Sequence, residues 1–494
     1  LSLPLRTLFE SPTPGALAQN LLQLTADQGP SLCPGMGRID EHTVTLSYGQ
    51  RRLWALDQLQ ESLSSYNIPS VFHLQGALNV TALGQALVAI VARHEPLRTT
   101  IIQDADGQAL GRVLPAPSAA QVLQIIDLSD TPVDERNTRA DELIFATLAK
   151  TFDLSSDFSL RALLVTLSPQ EHRLAITLHH QASDGASMEV LTKELTQAYF
   201  AYCQGQTPHW QALPVQYSDW AAWQQATVEL EITDKIKRAK ERLADIPESL
   251  TLPTDFARTA QRARRAAYLP IHLPANTTQG LERLAQIHDT TLFTSVLAVY
   301  AATLGRIANQ ATVVVGSPVA GRTQIETEDL IGFMVNTLAI PITLDQSCTG
   351  SLLIERAKKS IEAALIDQDL PFDRLVEELE ITRSLAQTPV IQTMLAFQNQ
   401  LDQALLLEGL NVDPEPVFLP TAKFDLSIQL AVNPQKELVG WLEYDADLFE
   451  QSSVQAWGAA FTELSQALVK EPQANVYQLP LTSAAERTAL IHAA

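Results

Sequence analysis

One short stretch of this chain holds residue types suited to moving a proton near neutral pH: His179-His180-Gln181-Ala182-Ser183-Asp184-Gly185. Imidazole titrates closer to pH 7 than any other unperturbed side chain, so it can both take and return a proton there. The segment just before it, Arg173 to Leu178, alternates more and less apolar residues with the period of two of a half-buried strand. Continuing that alternation places His180 on the face of Leu174, Ile176 and Leu178, and His179 on the opposite face. Histidines on opposite faces have different surroundings and so different tasks. The Asp184-Gly185 pair behind them reads as a sharp turn carrying one carboxylate. A single histidine at a strand end is more often packed or solvated than catalytic. The pair with Asp-Gly fixed behind it is rarer, and its weight depends on the elements around it.

Those elements have ample material. At 494 residues, with 46% hydrophobic composition, the chain can build two or three ordinary cores. A formal net charge of −22 argues against a nucleic-acid partner, which needs basic surface. Cys33, Cys203 and Cys348 lie far apart without metal-ligand spacing, which predicts a reducing compartment, no disulfide framework and no zinc site. The first residues lack a basic start and an apolar core, so no signal peptide is read. The most apolar long stretch, Leu292 to Leu304, is too short for a bilayer and predicts a buried helix. The expectation is a soluble cytoplasmic protein without membrane contact.

In residues 1–24, Thr13 can cap a helix whose Leu17, Leu21 and Leu24 form an apolar stripe needing a partner surface. Residues 25–44 are rich in Gly and Pro and read as a linker. A helix is predicted near 80–95 from Leu83, Leu87, Ile90 and Val91, with Pro96 stopping it. Tyr217, Trp220 and Trp223 read as an apolar stripe at helical spacing, and the charged segment after them as a crossing to a second lobe. That lobe resumes with a strand at Leu269–Leu273, a helix ending near Ile307, and a strand at Val313–Gly316.

Seven motifs then follow in order: SYGQRRLW (47–54), RHEPLRT (93–99), LHHQASDGAS (178–187), YSDWAAW (217–223), IGFMVNTL (331–338), DQDLPFDRLV (367–376) and RSLAQTPVIQTM (383–394). With them the chain resembles the amide-bond-forming condensation domain of nonribosomal peptide synthetases, from about Leu46 to Leu479. Residues 3–21 resemble the last part of a peptidyl carrier protein, and 479–487 the junction into an adenylation domain. The resemblance implies an α/β (α+β) fold of two chloramphenicol-acetyltransferase-like lobes, a V-shaped pseudo-dimer around a central channel. It divides the chain into a carrier remnant (1–24), a linker (25–44), an N-terminal lobe (45–216), a C-terminal lobe with floor loop and latch (217–479), and a linker towards an adenylation domain (480–494). The chain would be a monomeric piece of a multidomain synthetase. Its partners would be an upstream donor carrier, a downstream acceptor carrier and an adenylation domain. It would bind no cofactor of its own; 4'-phosphopantetheine arms would arrive on the carriers.

The resemblance implies that an acceptor amine attacks a donor thioester, with His180 hydrogen-bonding that amine as general base or as positioning group. His179 is then packing, Asp184 holds the turn through an arginine, and Gly185 keeps the channel clear. The arginine that often closes the family's GFxVNTxxxR motif is Pro341 here, so Asp184 needs another partner, with Arg322 and Arg93 as candidates. Ala186 replaces the usual aromatic residue, and Ala186, Ser187 and Asn399 are candidates to line the channel. Arg93, Glu95 and Arg98 read first as a helix-end charge network. The competing readings are an epimerase-type relative acting on a carrier-bound aminoacyl group and a catalytically silent carrier-docking module. Heterocyclising and terminal cyclising relatives are disfavoured because the first replaces these histidines by aspartate and the second typically lacks the first histidine.

Overall fold

The computed structural model describes residues 13, 15, 30–59, 66–259, 262–379, 387–398, 405–483 and 487–488. The expected carrier remnant, apart from Thr13 and Gly15, lies outside them, and so does Asn399. In chain order the elements are β1 (Thr43–Val44), α1 (Tyr48–Leu59), β2 (Asn67–Gly76), α2 (Val80–Arg93), β3 (Thr99–Gln103), β4 (Ala109–Val113), α3 (Ala119–Val122), β5 (Leu123–Asp127), α4 (Val133–Ala149), β6 (Leu160–Ser168), β7 (Glu171–His179) and α5 (Gly185–Cys203). They continue with α6 (Tyr217–Arg242), β8 (Ala266–Leu273), α7 (Ala275–Ile287), α8 (Leu292–Ile307), β9 (Thr312–Val319), β10 (Asn336–Thr343), α9 (Gly350–Ile366), α10 (Phe372–Glu378), β11 (Thr393–Gln398), β12 (Leu410–Glu415), β13 (Leu426–Val432), β14 (Leu438–Asp445) and α11 (Gln451–Lys470).

The chain divides into two compact units, one of Leu1–Ile232, Ala320–Met334 and Ala404–Glu415, the other of Thr233–Val319, Val335–Gln403 and Pro416–Ala494. The expected junction at 216/217 is displaced into α6. Tyr217, Trp220, Ala221 and Trp223 bury their side chains with Leu32, Val215, Leu330 and Met334, which commits the start of this helix to the first unit. Segments 320–334 and 404–415, expected in the second lobe, also belong to the first unit. Residues 30–44 are not a free linker. The Trp223 indole N–H donates to the Pro30 carbonyl (2.7 Å), Gly37 N donates to Asp219 Oδ1 (3.1 Å), and Arg38 pairs with Glu95.

In the first unit a five-stranded sheet runs in the order β12-β2-β7-β6-β5, with only the β5–β6 pair parallel. The alternation read in β7 buries Leu174, Ile176 and Leu178 against Leu83, Leu87 and Ile90 of α2 and Leu191 and Leu195 of α5. Each such aliphatic side chain contributes about 1.5–3 kcal/mol when fully buried. Helix α2 forms where its apolar spacing predicts: the Asn79 side chain caps it by accepting from Ala82 N (3.1 Å), and it ends at Arg93, before Pro96. On the other face of the sheet, α4 packs against β2, β6 and β7. Strand β12 joins the edge beside β2, fastened by Arg173 Nε donating to Glu415 Oε1 (3.0 Å) and by Leu405 and Leu407 entering the core.

The second unit is built on a six-stranded sheet, β10-β9-β11-β13-β14-β8. Its core surrounds α8, whose residues from Thr294 to Gly305 are all buried, as the apolar run predicts. No single helix among the described residues is long and apolar enough to cross a membrane. Pro341 sits in β10, an edge strand, where a missing N–H costs least.

Candidate active site

Strand β7 ends by delivering the two histidines to a tight turn. His179 N donates to the Ser159 carbonyl (3.0 Å) and His180 N to the Tyr66 carbonyl (2.8 Å), so sheet bonding persists through both residues. The chain then folds back, with Ala182 N donating to the His179 carbonyl (3.0 Å). The turn is anchored from behind by the first motif. Gln50 Nε2 donates to the Gln181 carbonyl (3.0 Å) and Ser47 N donates to Gln50 Oε1 (3.1 Å), while Gln181 Nε2 donates to Ser159 Oγ (3.0 Å).

The two imidazoles occupy different environments. His179 is buried, with its ring 5.6 Å from Phe152 and 6.5 Å from Tyr66. Its Nδ1 accepts from Gln181 N (3.2 Å), which places the ring proton of a neutral imidazole on Nε2. His180 is half-buried and its Nδ1 lies 2.8 Å from the Ser183 carbonyl oxygen. A carbonyl can only accept, so Nδ1 carries the proton and Nε2 is the basic nitrogen of the neutral ring. The Phe333 ring stands edge-on to this imidazole at 4.7 Å and 62°.

Asp184 is the N-cap of α5. Its Oδ1 accepts from Ser187 N (2.9 Å) and Ser187 Oγ (2.7 Å), the bonding of a carboxylate cap that also favours the positive end of the helix dipole. Its Oδ2 accepts from Arg322 Nη1 (3.0 Å) and Met334 N (3.0 Å). Arg322 Nη2 donates on to Ser187 Oγ (3.1 Å) and the Leu330 carbonyl (3.0 Å). Of the two candidate partners of Asp184, the structure therefore brings Arg322 to it. Arg93 instead donates from Nε to Glu194 Oε1 (2.8 Å), because α2 packs along α5, which carries that glutamate. Glu95 pairs with Arg38 and Arg98, and His94 Nε2 bonds Glu194 Oε2 (2.8 Å). The approach of Arg322 depends on Gly321, whose φ of +67° and a would-be Cβ 2.0 Å from the Met334 carbonyl oxygen exclude any side chain.

Ser187 does not line an open space: it is fully buried beneath Asp184 and Arg322, since the third helical residue turns back towards its own cap. Ala186 is half-exposed. Gly185 is exposed, its φ lies outside the left-handed region, and an added Cβ would meet nothing within 4 Å. Neither backbone nor first-unit packing explains that glycine.

Reading the motifs as separate blocks missed Tyr217 and Phe333. The Tyr217 hydroxyl donates to the Phe333 carbonyl (2.7 Å) and is hydrogen-bonded to Ser47 Oγ (2.8 Å). The aromatic stripe marked Tyr217 as core, and only a polar tip on a buried ring could have signalled a partner. Burial pushes this phenol well above its ordinary range, so it stays protonated at any working pH. Tyr217→Phe is expected to lower the stability of the first unit by about 1–2 kcal/mol, the cost of stranding a buried acceptor. Because the folded phenol is the harder one to ionise, the wild type loses stability as pH rises past the ordinary phenol range near pH 10. The gap between the two proteins should therefore hold constant at neutral pH and narrow in alkali, in denaturant titrations across pH.

Several known proteins resemble this chain. A family model described as "Condensation domain" matches residues 40–491. One of the linear gramicidin synthase subunits of Brevibacillus parabrevis is 35% identical, over 100% of this chain and 6% of that protein's length. Malpibaldin synthetase of Mortierella alpina is 36% identical, over 92% of this chain and 8% of that protein. The chain thus spans less than a tenth of the length of these two curated relatives. Among solved structures, the X-domain from teicoplanin biosynthesis is similar with a TM-score of 0.82 and 27% identity, covering 91% of this chain and 100% of that one. The first condensation domain of the calcium-dependent antibiotic synthetase, in complex with a substrate analogue, shares the fold at a TM-score of 0.74 and 20% identity, over 89% of this chain and 99% of that one. The chain therefore belongs to the condensation domain family of nonribosomal peptide synthetases.

Proposed function

We propose that this chain catalyses amide-bond formation between a donor aminoacyl or peptidyl thioester and the amine of an acceptor aminoacyl thioester. Both reactants would ride on 4'-phosphopantetheine arms of carrier proteins, one upstream and one downstream. The observation that carries this reading is the His180 tautomer: Nδ1–H is committed to the Ser183 carbonyl, which makes Nε2 the basic nitrogen, the atom suited to meet an amine proton. The acceptor nitrogen attacks the thioester carbonyl, the C–N bond forms, the C–S bond breaks, and the thiolate leaves to be protonated as the free thiol of the donor arm. No side chain becomes acylated, and the heptapeptide offers no group placed to be. His179 serves as packing, Asp184 with Arg322 holds the start of α5, and the bare position at Gly185 leaves room for a thioester arm to approach. The domain binds no cofactor of its own. The same reading makes residues 1–24 a carrier remnant and residues 480–494 a link towards an adenylation domain, in a chain that is monomeric when excised.

A second reading, a module that docks a partner without chemistry, is favoured by the likeness to the X-domain, which has also been solved in a complex with OxyB. One experiment separates them. A loaded donor carrier and a loaded acceptor carrier are mixed with the protein, and intact-protein mass spectrometry follows the acceptor. Dipeptidyl thioester on the acceptor carrier, dependent on both loaded carriers, is the expected result. No dipeptide with any carrier pair contradicts it and leaves the docking reading. Inversion of one loaded aminoacyl carrier without dipeptide would instead make the chain an epimerase.

A further inference from the structure

We infer that Phe333 is the positioning residue for His180, closing one side of the imidazole so that Nε2 points in one direction. The inference rests on the condensation reading above. The hydrogen bond from Nδ1 to the Ser183 carbonyl selects the tautomer only while the ring keeps its direction, and a bond of that net strength does not hold that direction alone. A steeply tilted phenyl ring whose centroid lies 4.7 Å from that of the imidazole removes that freedom on one side.

The Phe333 ring is itself held from several sides. Its carbonyl accepts from the buried Tyr217 hydroxyl (2.7 Å). The residue before it is tied by Gly332 N donating to Ser187 Oγ (3.0 Å), and the residue after it by Met334 N donating to Asp184 Oδ2 (3.0 Å). Three consecutive backbone positions are thus fastened to α5, its cap and α6. Behind the ring stands Gly49 of α1, where a Cβ would lie 2.6 Å from Phe333 Cε1 and 2.9 Å from Cδ1. Real Cβ atoms do not approach an aromatic ring so closely, so glycine at 49 is what admits the phenylalanine. The ring is therefore wedged between the backbone of α1 and the His180 imidazole. The motifs at 47–54, 178–187 and 217–223 thus meet at this one residue, which lies within the fourth, at 331–338.

A ring that merely fills space would be replaced adequately by leucine; a ring that aims the imidazole would not. The test uses Phe333→Leu, Phe333→Ala and Phe333→Tyr in the full chain, with Gly49→Ala pressing on the ring from behind. Single-turnover and steady-state condensation are measured with loaded carriers. Nitrogen-15 spectra of labelled histidines, with His180→Ala identifying the signal, report the tautomer without any substrate. We expect kcat to fall about 10–100-fold in Phe333→Ala and about 10-fold in Phe333→Leu and Gly49→Ala, the scale set by misplacing a reacting group. KM for either carrier should change less than about threefold, and Phe333→Tyr should recover most of the rate. In Phe333→Ala the His180 nitrogen shifts should move from a single Nδ1–H form towards a mixture of tautomers. Wild-type kcat in Phe333→Leu, or unchanged His180 nitrogen shifts in folded Phe333→Ala, overturns the inference. Should the wild type make no dipeptide, the condensation reading fails while the nitrogen spectra still decide what Phe333 does to His180.

Discussion

Arg322→Ala is expected to lower the unfolding free energy of the first unit by about 3–5 kcal/mol, the range for deleting one partner of a buried ion pair. The side chains of Arg322 and Asp184 are only 8% and 1% exposed, so water cannot replace the guanidinium that is lost. The deletion removes four donated bonds at once, to Asp184 Oδ2, Ser187 Oγ and the carbonyls of Ala320 and Leu330. Asp184 would keep Ser187 N, Ser187 Oγ and Met334 N as donors, which holds the loss towards the lower end of that range. Arg322→Lys keeps the charge but presents a point cation in place of a fork, so it should reach one of these acceptors and recover less than half of the loss. The rate should fall as well, by about tenfold, because Ser183, whose carbonyl fixes His180 Nδ1, directly precedes Asp184. Denaturant titration of both variants checks the stability claim, and a change below about 1 kcal/mol for Arg322→Ala, the worth of a surface pair, would contradict it.

Much of this arrangement can be read from the residues alone, where the physics is local. The period of two before His179 gave the strand, the spacing of Leu83, Leu87 and Ile90 gave α2, and the long apolar run gave a buried helix at α8. The separate fates of His179 and His180 follow from the same alternation, one ring going to Phe152 and the other to Phe333. What could not be read is what tertiary packing brings together. Nothing in the local pattern of Phe333, Tyr217 or Gln50 shows that each ends against the turn at 180–184 or its neighbours. Arg322 stood as one of two candidates for Asp184, and only the packing of α2 on α5 sends Arg93 to Glu194. Ser187 is a different case, because an aspartate at a helix N-cap accepts the N–H of the third helical residue, and that rule ties the Ser187 backbone to Asp184. Proximity to the heptapeptide had suggested an exposed side chain instead. The Gly/Pro-rich stretch misled for a related reason: composition registers backbone freedom, and it does not register that Gly37 and Pro30 bond α6.

His180→Ala should have the largest effect on chemistry. Under the proposed function, the heptapeptide contains no nucleophile placed to accept an acyl group, and the contribution assigned to His180 is a hydrogen bond to the attacking amine. General acid–base assistance by one positioned side chain is worth about 100- to 10,000-fold. The variant removes the side-chain bond to the Ser183 carbonyl from a half-buried residue and leaves Asp184, Arg322, Ser187 and Phe333 in place, so folding should survive. Residual rate is expected from holding the two thioesters close together, since proximity acts without the imidazole.

The measurement that bears most directly on the central claim is rapid-quench single turnover with a loaded donor carrier and a loaded acceptor carrier, for wild type and His180→Ala side by side. The predicted result is dipeptidyl thioester on the acceptor carrier, formed at least about 100-fold faster by the wild type, with both proteins unfolding at similar denaturant concentrations. Equal rates in the two proteins would show that His180 does not assist the attack, and the account of this site would be wrong.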